Sequence, residues 1–212
     1  MTAQDLVSRT WRDLAHRHGC DASSAARVLE YLMRAYGEPY RHYHTLSHIA
    51  DLLQLLDKHG GIADGDAVTL AIFFHDAVYD PMRQDNEAAS ATLARKQLML
   101  LGFPQQLTAK VERYILATQH GASVPAARDA DLHVLLDLDL SVVAAAPDHY
   151  RAYAQAIRHE YASIPDALYQ PGRRRVLEGF LARPEIYLTE RLRALWEASA
   201  RQNLASEIAM LT

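Results

Sequence analysis

Cysteine is nearly absent: Cys20 stands alone, so no disulfide can close within the chain and packing must hold the fold. Such usage suits a reducing compartment, and a cytoplasmic location is expected. No stretch approaches the roughly 18 apolar residues that a membrane span needs, so no membrane partner is expected. The opening MTAQDLVSRTWRDL spreads its charges and has no continuous apolar core, so no signal peptide is expected. An excess of positive charge is also lacking. With a net charge of −4 the chain carries no electrostatic footprint for nucleic acid, and Arg173-Arg174-Arg175 is its one local basic run. Sustained two-residue alternation, hairpin dipeptides, internal repeats and low-complexity tracts are missing, which argues against β architecture. There is no Gly-rich phosphate loop and no base-stacking motif.

What is present is helical pattern. At 212 residues, 50% apolar and 23% charged, the whole chain, residues 1–212, is expected to form a single all-α domain. Apolar spacing of three and four residues predicts helices over 4–18 and 22–36, closed by Gly19 and Gly37. Glu38-Pro39 breaks the pattern. A helix capped by Thr45 or Ser47 then runs to Gly60-Gly61. The stretch AIFFHDAVYD follows, nearly every residue of 67–74 being apolar, so that this helix must be buried on all sides; its end is expected near Tyr79, with Pro81 as the stop. Further helices are predicted over 86–101, from Pro104 toward His120, and over 129–143, 148–162, 172–182 and 189–210, with residues 121–128 as loop and Pro147, Pro165, Pro171 and Pro184 as punctuation. Met33, Met99, Trp11 and Trp196 read as core or half-buried packing.

The buried helix ends in His75-Asp76. An ionised carboxylate taken out of water without a partner costs several kcal/mol, and a bound metal would satisfy it and the imidazole together. Two other segments offer ligand-type residues at helix positions: His44 with His48, and Asp137 with Asp139. Mixed imidazole and carboxylate ligation suits Mn, Fe, Co, Ni or Zn, or Mg, and leaves room for a water that the cation acidifies. If His44 and His48 both lie in helix, they share one face as in a two-His zinc site. If His44 precedes the cap, the two need not point together, and the helix signals at Thr45 or Ser47 favour this arrangement.

Asp137 and Asp139, two apart on one helix, diverge by about 200°. Leu132, Leu135, Leu136, Val142 and Val143 all fall within about 60° of Asp139, which centres it on the apolar stripe. Asp137 falls with His133 and Ser141 on the polar face, where a solvated acid is expected.

YHTLSH, FFHDAVYD and LLDLDLS, in this order, resemble the HD superfamily of metal-dependent phosphohydrolases. RHYHTLSHI, AIFFHDAVYDP, DNEAASA, IRHEY, GRRRVL and ARQNL together resemble a bacterial group of predicted HD hydrolases of unassigned substrate, over about residues 36–207. The resemblance implies an HD-type helical bundle around a metal held by His48, His75, Asp76 and Asp139. In the cyclic-nucleotide phosphodiesterase branch, with its similar YHN-x-x-H element, the first His protonates the leaving oxygen and the second binds metal. Carried over, His44 is the catalytic acid and His48 the ligand, although Thr45 stands where that branch has Asn and its further motifs are missing.

The activity so implied is hydrolysis of a phosphomonoester, phosphodiester or nucleotide-like substrate. His120 near a helix end and Glu87 in a first turn are second-metal or substrate candidates by resemblance, or simply charges that complement helix dipoles. Arg41 and Arg173–Arg175 are either phosphate ligands or solvated surface, the latter preferred. The rival readings are a di-iron HD-type oxygenase and a non-catalytic module that binds a nucleotide or partner protein.

Overall fold

The computed structural model describes residues 2–119 and 129–211, and their regular structure is entirely helical. The all-α expectation holds. Among the described residues no helix is long and apolar enough to cross a membrane. The chain divides into two compact units, Met1–Leu135 and Leu136–Thr212.

The first unit contains α1 (Ala3–Arg17), α2 (Ala22–Ala35), α3 (Leu46–His59), α4 (Gly65–Phe74), α5 (Asn86–Leu100), α6 (Gln105–Ala117) and the start of α7 (Ala130–Asp139). It is built around α4, which packs against α3, α5 and α6. All of α4 from Ala67 to Phe74 is buried, as its unbroken apolar run requires. Trp11 of α1 sets its ring edge against Phe73 and Phe74 and gives its indole N–H to the Ala25 carbonyl at 2.9 Å, so α1, α2 and α4 meet at one side chain.

Negative charge gathers at the N-terminal, positive end of α4. Asp64 caps it through the Ala67 N–H, the buried Asp131 carboxylate accepts from the N–H groups of Ala63 and Asp64, and Asp66 pairs with Arg17 and His18. Burial works against the charge on Asp66, but the hydrogen bonds from Arg17 and His18 and the charge of Arg17 outweigh it and hold its carboxyl below the ordinary value.

α4 stops at Phe74 rather than near Tyr79. The His75 N–H still bonds to the Ala71 carbonyl at 2.9 Å, but the next bond, from Ala77 to Phe74, spans three residues and turns the chain. Polar side chains from elsewhere then take the backbone: Arg41 bonds to the carbonyls of Asp76 and Ala77, and Ser90 bonds to both the N–H and the carbonyl of Val78. Satisfied in this way, these groups have no need of a helix.

The second unit holds the end of α7, a 3-10 turn (Leu140–Ala144), α8 (Pro147–Glu160), α9 (Asp166–Leu181) and α10 (Glu190–Met210). Its core includes Val143, Tyr150, Leu177, Phe180, Tyr187 and Leu204. The Asn203 side chain donates to the carbonyls of Val143 and Ala145, which ties α10 to the turn.

Two further sequence expectations fail. α9 begins at Asp166 and carries Pro171 inside it, whereas Pro171 was expected to precede the helix. Pro171 deprives the Ala167 carbonyl of its helical partner, but both residues lie on the exposed side, where water can substitute. Met99, expected in the packing, is 60% exposed at the end of α5.

Candidate metal centre

α3 supplies His48, the C-cap of α4 supplies His75, and Asp76 follows directly. Thr45 is the N-cap of α3, without a side-chain capping bond, so His48 lies in the first turn and His44 precedes the helix. His48 is buried on the same helix as Ile49 and Leu52; His75 is the C-cap of α4, at the negative end of its dipole, where a cation is favoured. His75 Nδ1 lies 3.0 Å from the Ile72 carbonyl oxygen. A carbonyl only accepts, so Nδ1 carries the proton of the neutral ring and Nε2 turns a lone pair the other way.

Toward that lone pair come His48 Nε2 at 3.3 Å and Asp76 Oδ2 at 3.1 Å, with 4.0 Å between the latter two. Two facing imidazole nitrogens need a proton on His48 or a metal ion between them. Ligands bound at about 2.0–2.1 Å around a tetrahedral ion stand about 3.3 Å apart, so these spacings fit. His48, His75 and Asp76 form a group that could hold a metal ion, their ligand atoms all within 4.8 Å of one another.

His44 stands beside this group. Its Nε2 is 3.9 Å from Asp76 Oδ2 and its side chain is 19% exposed, so it reaches both the carboxylate and solvent. Its ring lies over Tyr79, centroids 4.2 Å apart at 32°, and against the edge of Tyr43. The rings of His44 and His48 are 6.1 Å apart and nearly perpendicular. The two-His pair on one helix face is therefore not made, and the arrangement with His44 ahead of the cap is the one observed. Nothing in the sequence spacing singled out Tyr43 and Tyr79; the only signal was an aromatic residue beside each histidine segment.

The remaining candidates divide. Glu87 lies half-buried in the first turn of α5, where it complements the helix dipole, and is outside the three-residue group. Asp139 is half-buried at the end of α7 in the second unit. His120 lies outside the described residues.

Arg175 is exposed, as expected of solvated surface, but Arg41, Arg173 and Arg174 correct that expectation. Arg41 is buried and spends its guanidinium on Glu38 and on backbone carbonyls. Arg173 pairs through two nitrogens with the buried Glu207, which also accepts from the Tyr150 hydroxyl, and Arg174 bonds to the Leu211 carbonyl. Each nitrogen of Arg41 and two of the three nitrogens of Arg173 already donate to the protein itself, which leaves few donors for a phosphate.

Asp137 is corrected as well. Expected on a solvated face, it is 0% exposed. Its carboxylate accepts from the Leu188 N–H at 2.7 Å, the Thr189 N–H at 2.8 Å and the Thr189 hydroxyl at 2.6 Å, at the start of α10. The stripe argument assumed one helix from 129 to 143 with one buried side. Instead α7 gives way to a tighter turn after Asp139, and Val134, Asp137 and Leu138 are buried as fully as Leu132 and Leu135.

Compared with known proteins, the chain matches no family model, no curated protein and no solved structure.

Proposed function

We propose that this chain is an HD-type, metal-dependent phosphohydrolase acting on a phosphomonoester, phosphodiester or nucleotide-like substrate. The observation that carries the reading is the convergence of His48 Nε2, His75 Nε2 and Asp76 Oδ2, with the far nitrogen of His75 fixed by the Ile72 carbonyl. A thiolate-free set of imidazole and carboxylate suits Mn, Fe, Co, Ni or Zn, with Mg as the oxygen-preferring alternative. When bound, such an ion supplies an acidified water and polarises a phosphoryl oxygen. The sequence resemblance assigns a further ligand to Asp139; loss of metal from Asp139→Asn, with the fold retained, is the result expected of that assignment.

His44 is assigned the proton for the leaving oxygen. Its contact with Asp76 orients Nε2 toward the group, the Tyr79 ring fixes its plane, and its partial exposure leaves room for a substrate oxygen. His44→Ala is expected to keep its metal and to lose on the order of 10²- to 10⁴-fold in turnover. A nitrophenyl ester, whose leaving group needs no proton, should recover most of that loss. Loss of metal together with turnover would make His44 a ligand instead.

The test of the reading as a whole is a screen of the purified protein against phosphorylated compounds with Mn, Co, Ni, Mg and Fe. Release of phosphate that depends on an added ion and disappears in His48→Ala is expected. A metal-loaded protein inactive on every phosphorylated class would refute hydrolysis.

A further inference from the structure

Arg41 is a costly residue to bury. Its side chain is 0% exposed, yet it stays charged, so everything around it must compensate that charge. Nε donates to Glu38 Oε2 at 3.0 Å, Nη1 to the carbonyls of His44 at 3.3 Å and Asp76 at 2.6 Å, and Nη2 to the carbonyl of Ala77 at 3.4 Å. The guanidinium plane lies between two aromatic rings, 5.2 Å from the centroid of Tyr36 and 5.4 Å from that of Tyr79.

The identity of these acceptors is what matters. The residues whose carbonyls are held include two whose side chains face each other across the site, His44 and Asp76. They come from separate segments, one before α3 and one after α4, and the tie spans 35 positions of sequence. Nearby bonds follow the same course: the Tyr36 hydroxyl donates to the Phe73 carbonyl and the Tyr40 hydroxyl to the Tyr79 carbonyl. Arg41 touches the site-bearing residues on both sides.

We infer that Arg41 is a positioning residue, a clamp on the backbones of His44 and Asp76 that sets the separation of their side chains. Its donors go to the carbonyls behind the site side chains, and it acts through those. A planar fork with donors pointing several ways can do this, whereas an ammonium, whose donors leave one point, cannot span the same acceptors. The clamp deepens the proposed function only in that it borrows the roles given there to His44 and Asp76.

The test has a metal-free arm and a metal arm, both on the full chain. In metal-free Arg41→Lys, the amides of Ala77 and Val78 are expected to exchange with solvent at least about tenfold faster than in the parent, while those of Leu14 and Leu32, away from the clamp, keep their protection. In Arg41→Ala, guanidinium ion at a non-denaturing concentration is expected to restore the slow exchange, and urea at the same concentration is not. In the metal arm, Co(II) alone is titrated, and its affinity should fall by about tenfold or more in both variants and recover with guanidinium.

Unchanged exchange at Ala77 and Val78 overturns the clamp. Uniform loss of protection without guanidinium rescue reduces Arg41 to a general packing residue and also overturns it, as does normal Co(II) affinity in a variant whose turn exchanges freely. A parent protein that takes up no Co(II) contradicts the metal reading instead, and the exchange arm still decides the clamp.

Discussion

Asp76→Ala is expected to lose its metal and keep its fold. The carboxylate is the group's only negative charge, its Oδ2 standing 3.1 Å from His75 Nε2 and 3.9 and 4.0 Å from the Nε2 atoms of His44 and His48. Without it two imidazoles remain, and affinity should fall by at least on the order of 10²-fold, the upper end of what loss of a mere supporting partner costs. The fold survives because Arg41 holds the backbone carbonyl of Asp76, which the substitution leaves in place. With the side chain 17% exposed, the cost to the metal-free protein should stay near about 1 kcal/mol. Metal content and thermal unfolding are the readouts. Undiminished metal in a folded variant would remove Asp76 from the site.

Asp137→Ala is expected to do the reverse, with stability as the property lost. Three donors converge on this buried carboxylate at the positive end of α10. Thr189, the N-cap of that helix, makes no capping bond of its own because its hydroxyl turns to Asp137 instead. The negative charge is also felt at the Tyr187 hydroxyl, which burial pushes well up and which the charges of Asp137 and Glu197 push further. Truncation leaves two N–H groups and a hydroxyl without their acceptor, a loss of about 1–3 kcal/mol. Asp137→Asn should fall between, since an amide keeps one acceptor but turns an NH₂ toward the donors. Urea unfolding measures both variants; a loss below about 1 kcal/mol in Asp137→Ala would mean that the cap contributes little.

How much of this was legible depends on where each residue's partners lie. The burial of α4 could be read from its own residues, since an apolar run without a polar side has nowhere else to go. The place of His44 ahead of α3 could be read from Thr45, a local signal for a local event. Asp137 could not, because its donors are at residues 188 and 189, and nothing between 130 and 143 records that α10 begins beside it. Helical periodicity finds one buried side; α7 is buried on more than one, so its apparent polar side was not solvent.

Arg41 misled in the same way. An arginine next to a site suggests a phosphate, yet every acceptor found for it is in the protein, and those of Asp76 and Ala77 lie beyond any local window. The end of α4 was missed with it: no residue between Phe74 and Pro81 breaks a helix outright, and Arg41 and Ser90, from other segments, take the backbone groups there. Pro171 shows the limit of a local rule, because a breaker on an exposed side costs one bond that water replaces.

The central claim is that His48, His75 and Asp76 form a metal centre, and a Co(II) titration of the parent chain beside His48→Ala and His75→Ala tests it most directly. The account predicts stoichiometric uptake by the parent, with an absorption spectrum of nitrogen and oxygen ligation, and loss of that uptake in each folded variant. A parent chain that binds no Co(II), or variants that bind it as tightly as the parent, would contradict the account.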